Sequence, residues 1–398
     1  MKKDISQLKF QSIVGWRGDS LVCPQAFGGD IYNGCSFDCF FCFCREMEEE
    51  LFTKYYSGWS RKLVRGADPI LFKNLFDKAF GSDKETTDWN VQCLRYGLPF
   101  NMGSKSETFQ YANDERLIKV LELFQEYKVP IIFETKSIYL GLSSYFDIIK
   151  NLKAAVIVSI MGGSDTLNYK LEENCPPASS RWSMVKELNR LGIWTAVRWE
   201  PIMPTINGSN EDLQGFADNA KKYGARHISL YNYRSSNYYK AAMRFKQNGF
   251  NYEKMLEASL DENWRPIGKS FFGMLRKNGI KASSPDFINF PFDSDCISCC
   301  GTDELFKPYL FNFQYACHII KQKGIVCWED MESIIFKEPT SYERMKACWN
   351  GGGNYYSLKD SPEIAIAGKD SKGYNIYGRI EMKDEYFLKP IKGGLFDE

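Results

Sequence analysis

The feature that most constrains the fold is an alternation of apolar runs with capped amphipathic helices through the middle of the chain. The runs are "VPIIFETKS" (Val129–Ser137), "AAVIVSIMGG" (Ala154–Gly163), "GIWTAVRWEPIMP" (Gly192–Pro204), "ARHISLYNY" (Ala225–Tyr233) and the weaker "GIKASSPDF" (Gly279–Phe287). Each is short and bounded by turn formers, which reads as a buried strand. Between them, "NDERLIKVLELFQEY" sets Leu117, Val120, Leu121 and Phe124 on one helical face. "SSRWSMVKELNRLG" reads as a serine-capped helix ending at Gly192, and "NEDLQGFADNAKKYG" as a helix from Asn210 to Gly224. The pattern predicts parallel βα units in a barrel or a doubly wound sheet, with chemistry at the strands' C-terminal ends.

Those ends are polar: "ETKS", "SIMGGS", "RWEP", "YNYRSS" and "SSPD". After about Phe290 the rhythm stops. A loop rich in cysteine and aspartate, "NFPFDSDCISCCGTDELFKP", leads to a helical stretch, "YLFNFQYACHIIKQKG", and then to turns and short strands. The reading divides the chain into residues 1–290 and a smaller C-terminal extension, 291–398.

Charge is balanced, 51 Lys+Arg against 50 Asp+Glu, so the basic excess of many nucleic-acid binders is missing. The N-terminal "MKKDISQLKFQS" lacks the apolar stretch of a signal peptide, and no apolar run is long enough to cross a bilayer. The chain is expected to be cytoplasmic, with no membrane partner. In that compartment thiols stay reduced, so the chain's 13 cysteines read first as metal ligands or catalytic groups.

Three of them, Cys35, Cys39 and Cys42, are spaced C-x3-C-x2-C within "YNGCSFDCFFCFCREMEEE", and Cys44 follows at once. A structural zinc site takes four protein ligands and an iron–sulfur cube normally four cysteines, so three thiolates leave one iron of a cube open. A zinc knuckle is the structural alternative. The spacing, with Phe41 before the third cysteine and βα units behind it, resembles the radical S-adenosylmethionine (SAM) superfamily. Further stretches resemble its spore photoproduct lyase-like branch: "SETFQYANDERLIKVLEL", "IIFETKSIYL", "SIMGGSDTLNYKLEENCPPASSRWSMVKELNRLGI" and "EPIMPTING". The matches run from about Gly28 to Pro285.

The resemblance implies a partial (β/α)6 barrel with the cysteine loop after its first strand. It implies a [4Fe-4S] cluster on Cys35, Cys39 and Cys42, SAM on the fourth iron, and a 5′-deoxyadenosyl radical that abstracts hydrogen from substrate. Phe41 matches the aromatic near the adenine. "MGSKSE" stands where relatives carry Gly-Gly-Glu, which makes Ser104 and Ser106 the cofactor candidates there. Lys136 of "TKS" matches a SAM-carboxylate partner, its bland alternative being a surface lysine. Ser159 and Glu200 sit at the next strand ends, as ribose contacts or as strand-end hydrogen bonders. The branch points to a nucleic-acid base or nucleotide as substrate, and the chemistry to an electron donor such as flavodoxin or ferredoxin. No cysteine stands in "NMGSKSE", where spore photoproduct lyase carries its hydrogen donor.

Arg198 reads as a phosphate contact or as the partner of Glu200, and His227 as structural. Tyr231, Tyr233 and Arg234 are candidates for a substrate mouth or, for one tyrosine, for core. The loop "DCISCCG" admits three readings for Cys296, Cys299 and Cys300: a second iron–sulfur cluster with Cys317 or Cys327, a hydrogen-donating thiol, or packing. Leaving the last strand, it is expected over or beside the barrel mouth, with at least one thiol facing the site. Cys23, Cys93, Cys175 and Cys348 read as isolated structural residues. The rival functional readings are a radical SAM enzyme acting on a peptide or small metabolite with an auxiliary cluster, and a non-enzymatic metal-binding module.

Overall fold

The computed structural model describes residues 3–4, 14–16, 23, 27–57, 60, 65–82, 86–233, 238–307, 312–332, 339–352 and 357–380. Seven strands lie side by side in chain order: β1 (Phe27–Gly29), β2 (Phe100–Met102), β3 (Ile131–Thr135), β4 (Ala154–Ser159), β5 (Trp194–Ile202), β6 (His227–Asn232) and β7 (Lys281–Ser283). All are parallel, and an antiparallel strand, Val14–Trp16, adds to β1 at one edge. Seven strands in sequential order need six crossovers, which are the six expected βα units.

The crossovers carry α1 (Phe43–Tyr55), α2 (Pro69–Phe80) and α3 (Trp89–Arg95), then α4 (Glu115–Glu126), then α5 (Ser143–Ile149). They continue with α6 (Asp165–Leu171) and α7 (Ala178–Arg190), α8 (Pro204–Asn207) and α9 (Asn210–Lys222), and finally α10 (Tyr238–Gln247), α11 (Tyr252–Ala258) and α12 (Asp261–Lys277). In α4 the buried face is Leu117, Val120, Leu121 and Phe124, and Asp114 caps its start. In α9 Ser209 and Asp212 form a capping box. The serine cap expected for α7 is absent. Pro177 holds the cap position, and the Asp165 carboxylate accepts from Ser179 N at 2.8 Å and Ser179 Oγ at 2.7 Å. A carboxylate from the preceding helix thus does the work of a local cap.

Side chains alternate across each strand. Ile131, Phe133, Val156, Val158, Val197 and Trp199 pack outward against the helices. Ile132, Ala155, Ile157 and Ala196 point the other way and pack with Cys300 and Phe306. Beyond the barrel, α13 (Phe313–Lys323) precedes three antiparallel strands, β8 (Ile325–Val326), β9 (Ile364–Lys369) and β10 (Asn375–Arg379), with β10 in the middle. A second hydrophobic cluster joins Phe287 and Phe292 to Phe313, Trp328, Trp349 and Tyr377. No helix among the described residues is long and apolar enough to cross a membrane.

Candidate cluster and cofactor site

The three-cysteine loop leaves β1 and runs into α1. Cys39 is buried; Cys35 and Cys42 are half-buried. Side chains from distant segments fix the loop's path. Ser36 N donates to Gln110 Oε1 at 2.6 Å, and Gln110 Nε2 donates to Gly34 O at 3.3 Å. Asn174 Nδ2 donates to Phe37 O at 3.3 Å. Within the loop Cys42 N donates to Cys39 O at 3.1 Å, and Arg45 pairs with Asp38 at 3.2 Å. Because α1 starts at Phe43, its positive N-terminal end lies beside the third cysteine, which favours anionic sulfur there. Cys44 has turned elsewhere: it is buried, and its thiol donates to Ser104 O at 3.9 Å.

The fold is a partial (β/α)6 barrel. The first parallel strand delivers the cysteine loop, and the C-terminal ends of its neighbours gather polar groups next to it.

The end of β2 is shaped by Gly103, at φ +97°, where a Cβ would lie 2.2 Å from Glu134 O. Only glycine suits both the left-handed backbone and the close approach. Past it, Asp30 draws the Ser104–Ser106 turn onto β1. Its carboxylate accepts from Ser106 N at 3.1 Å, Ser106 Oγ at 3.2 Å, Lys105 N at 3.2 Å and Ser104 Oγ at 3.3 Å. Glu107, fully enclosed, accepts from Thr135 Oγ1 at 2.6 Å, Lys136 N at 2.8 Å and Phe109 N at 3.0 Å. Burial pushes its carboxyl up from the ordinary value, and these bonds offset only part of that.

Lys136 follows β3. Its ammonium pairs with Glu172 and lies 5.2 Å from the centroid of the Phe41 ring. Glu172 is also held by Arg181 at 2.7 Å, and Arg181 donates to Ser159 O at 2.7 Å. Burial acts to discharge Lys136, but Glu172 and the thiols of Cys39 and Cys175 outweigh it and keep the amine charged. Burial likewise acts to protonate Glu172, and Arg181 with Lys136 holds it below the usual carboxylate range.

Deeper in the barrel Arg198 pairs with Glu134 and, at 3.5 Å, with Glu200. Ser229 Oγ donates to Glu200 Oε1 at 2.6 Å. Of the two roles open to Arg198 from sequence, the pairing with Glu200 is present. Ser159 is buried at the end of β4, beside Arg198 in the sheet register. Tyr231 alternates with Ser229 along β6 and so shares its inward face. Tyr233 packs with Phe245 and Tyr252, the core alternative for one tyrosine. Arg234 lies outside the described residues.

The Cys296–Cys300 loop is not over the mouth. It doubles back along β7: Asp295 N donates to Ala282 O at 2.8 Å, Ala282 N donates to the Asp295 carboxylate at 2.8 Å, and Cys296 N donates to Ser283 Oγ at 3.0 Å. An edge strand leaves N–H and C=O groups unpaired, and the returning chain covers them. The loop then reaches the strands' N-terminal ends. His227, the first residue of β6, has Nε2 3.2 Å from Cys299 O and Nδ1 3.8 Å from Cys296 Sγ. Cys300 packs inside the barrel on Ile132, Ala155 and Ala196, its thiol 3.1 Å from Thr302 Oγ1. The contact with Cys299 pulls the Cys300 thiol down against the effect of burial, with Thr302 and Arg198 helping. The tier of Glu134, Arg198, Glu200 and Ser229 therefore lies between this loop and the three-cysteine loop. Cys317 is buried in the second hydrophobic cluster, and Cys327 faces Asp330 at 3.2 Å.

One cysteine that the sequence left isolated belongs at the site. Cys175 Sγ is 3.7 Å from Cys39 Sγ, and the ligand atoms of Cys39, Glu172 and Cys175 all lie within 4.8 Å of one another. Gln110, Asn174 and Arg181 were likewise missed as site residues. Their signal was faint: Gln110 and Asn174 reach the loop only through the fold, and Arg181 reaches the site through Glu172.

The donor set fits an iron–sulfur cluster with a cofactor that presents a carboxylate. Sulfur ligands are grouped on one loop among Phe37, Phe40 and Phe41, and two cations, Lys136 and Arg181, surround a single carboxylate beside Cys39.

No protein-family model matches the chain, and no curated protein does. Among solved structures it is similar to Streptococcus suis SuiB bound to precursor peptide SuiA, at 13% identity over 66% of this chain and 50% of that one, TM-score 0.43. It is also similar to spore photoproduct lyase complexed with dinucleoside spore photoproduct, at 15% identity over 68% of this chain and 77% of that one, TM-score 0.43. A third is a domain of pyruvate-formate lyase-activating enzyme from Bacteroides vulgatus, at 12% identity over 43% of this chain and 89% of that one, TM-score 0.31. The chain spans about half the length of the SuiB chain it is matched to.

Proposed function

We propose that the chain is a cytoplasmic radical SAM enzyme that holds one [4Fe-4S] cluster on Cys35, Cys39 and Cys42. The observation that carries this reading is the three-cysteine loop, pinned by Gln110 and Asn174 beside Lys136 at the C-terminal end of a parallel barrel. When bound, the cluster and SAM supply a carbon-centred radical by one-electron cleavage of SAM. The protein's part is to bind, orient and shield. The three thiolates would hold the cluster and leave one iron for SAM. Lys136 has three N–H donors and spends one on Glu172, so it retains capacity for the SAM carboxylate. Phe41 would line the adenine side, Ser104 and Ser106 would serve the amino-group end, and Ser159 and Glu200 the ribose hydroxyls.

The substrate occupies the inner wall above the Glu134–Arg198–Glu200 tier, with Tyr231 at its rim. Carboxylate, guanidinium and hydroxyl groups there match the donor and acceptor edges of a nucleic-acid base or nucleotide. A second reading, a peptide or small metabolite, is favoured by the same tier, because two carboxylates around one arginine repel phosphate. A flavodoxin or ferredoxin supplies the electron. Of the extension, 291–398, Cys300, Leu305 and Phe306 pack against the inner strand residues and close the barrel floor. Within the extension, the contacts of Cys296 and Cys299 with His227 and of Cys300 with apolar strand residues support packing, and the tier between this loop and the substrate wall speaks against hydrogen donation by these thiols.

The test is an electrophoretic shift with DNA and RNA oligonucleotides, run beside SAM-cleavage assays with nucleotides and with peptides. Stimulation by nucleotides alone supports the first substrate reading. Stimulation by peptides alone removes it.

A further inference from the structure

We infer that Cys175 donates a hydrogen bond to the ligand sulfur of Cys39 and thereby raises the reduction potential of the cluster, an inference that rests on the cluster assignment above. The two sulfurs are 3.7 Å apart, within S–H···S reach, and either could donate in the metal-free chain. Once Cys39 is a ligand its sulfur carries no proton. The hydrogen of the pair then belongs to Cys175.

The donor is held in place by contacts independent of the thiol. Cys175 N donates to Glu172 O at 2.9 Å, closing the turn after α6. The neighbouring Asn174 bonds the cluster loop itself through Phe37 O at 3.3 Å. Glu172 is locked by Arg181 at 2.7 Å and by Lys136. The pair is shielded from bulk water by Phe37, Phe40, Phe41 and Leu171, and a hydrogen bond is stronger there than in water. Glu172 is no rival ligand, because its two oxygens are committed to Lys136 and Arg181.

A hydrogen bond to a cluster sulfur withdraws electron density. It stabilises the reduced, more negative cluster over the oxidised one and so raises the potential. Cys175 is on this account a positioning residue: it touches a ligand, and neither SAM nor substrate.

The test compares anaerobically reconstituted wild type with Cys175→Ala, the near-isosteric Cys175→Val and Cys175→Ser, each titrated reductively and followed by electron paramagnetic resonance without substrate. All four proteins should hold about four irons per chain. At the wild-type midpoint the reduced-to-oxidised ratio should fall about tenfold in the Ala and Val variants, a downward shift of about 59 mV for one electron. Cys175→Ser keeps an O–H donor and should recover part of the shift. A wild-type midpoint in either the Ala or the Val variant overturns the inference. So does a loss of iron in those variants, which would make Cys175 a ligand. A wild type that takes up no cluster overturns the assignment beneath it as well.

Discussion

Arg181 and Glu172 form an ion pair of 2.7 Å in which both side chains are fully buried. The same carboxylate holds Lys136, so one glutamate ties α7 to the strand end where the cofactor is proposed to bind. Removing Arg181 leaves Glu172 with Lys136 as its cation and takes the donor from Ser159 O and Asn168 Oδ1. Arg181→Met should cost about 2–3 kcal/mol in urea unfolding of the metal-free chain, the range for losing charge-assisted hydrogen bonds. A cost under about 1 kcal/mol would mean that Glu172 relaxes to solvent, and the lock does not exist.

For Lys136, Lys136→Met should weaken SAM binding by about 2 kcal/mol, near thirtyfold, while iron content is retained. Calorimetric titration of the reconstituted protein measures it. An affinity equal to wild type would limit Lys136 to partnering Glu172.

His227 gives a pH prediction. Burial first, against weaker pulls from the Cys299 carbonyl and nearby acids, depresses its pKa from 6.5 to about 4. In the unfolded chain the imidazole gains its proton as pH falls below 6.5, while in the folded chain it stays neutral until about 4. The unfolded state therefore binds more protons in that window, and stability falls with falling pH. The full contribution is present above pH 6.5 and is lost progressively down to about 4. The loss should reach about 2 kcal/mol by pH 5 and about 3 kcal/mol by pH 4. His227→Gln should remove this part of the slope between otherwise identical unfolding series. A variant with the wild-type slope would show that the ring is already charged in the fold.

The barrel-floor loop predicts a count. If Cys296 and Cys300 serve packing, iron should stay at about four per chain in wild type and in a Cys296→Ala, Cys299→Ala double variant. Wild-type iron clearly above four that falls in the double variant would restore a second cluster.

Much of the barrel was legible because β3, β4, β5 and β6 are apolar runs of at least five residues. β1 and β2 have three residues each, too few for any periodicity, and only the family-like segments around them marked their places. The three cysteines proposed to hold the cluster were legible from spacing. Cys175 was not, because it meets Cys39 across 136 positions of chain, a separation no local pattern encodes. The Cys296–Cys300 loop was misplaced for a related reason. It does leave from the C-terminal end of β7, but pairing with the bare edge of β7 turns it back to the opposite end.

The most direct measurement is 5′-deoxyadenosine formed by anaerobically reconstituted protein given SAM and a low-potential reductant. Wild type should produce it, and the variant with Cys35, Cys39 and Cys42 all changed to Ala should produce none and hold no cluster. Iron-loaded wild type that leaves SAM intact, or a triple variant that cleaves it at the wild-type rate, would contradict the account.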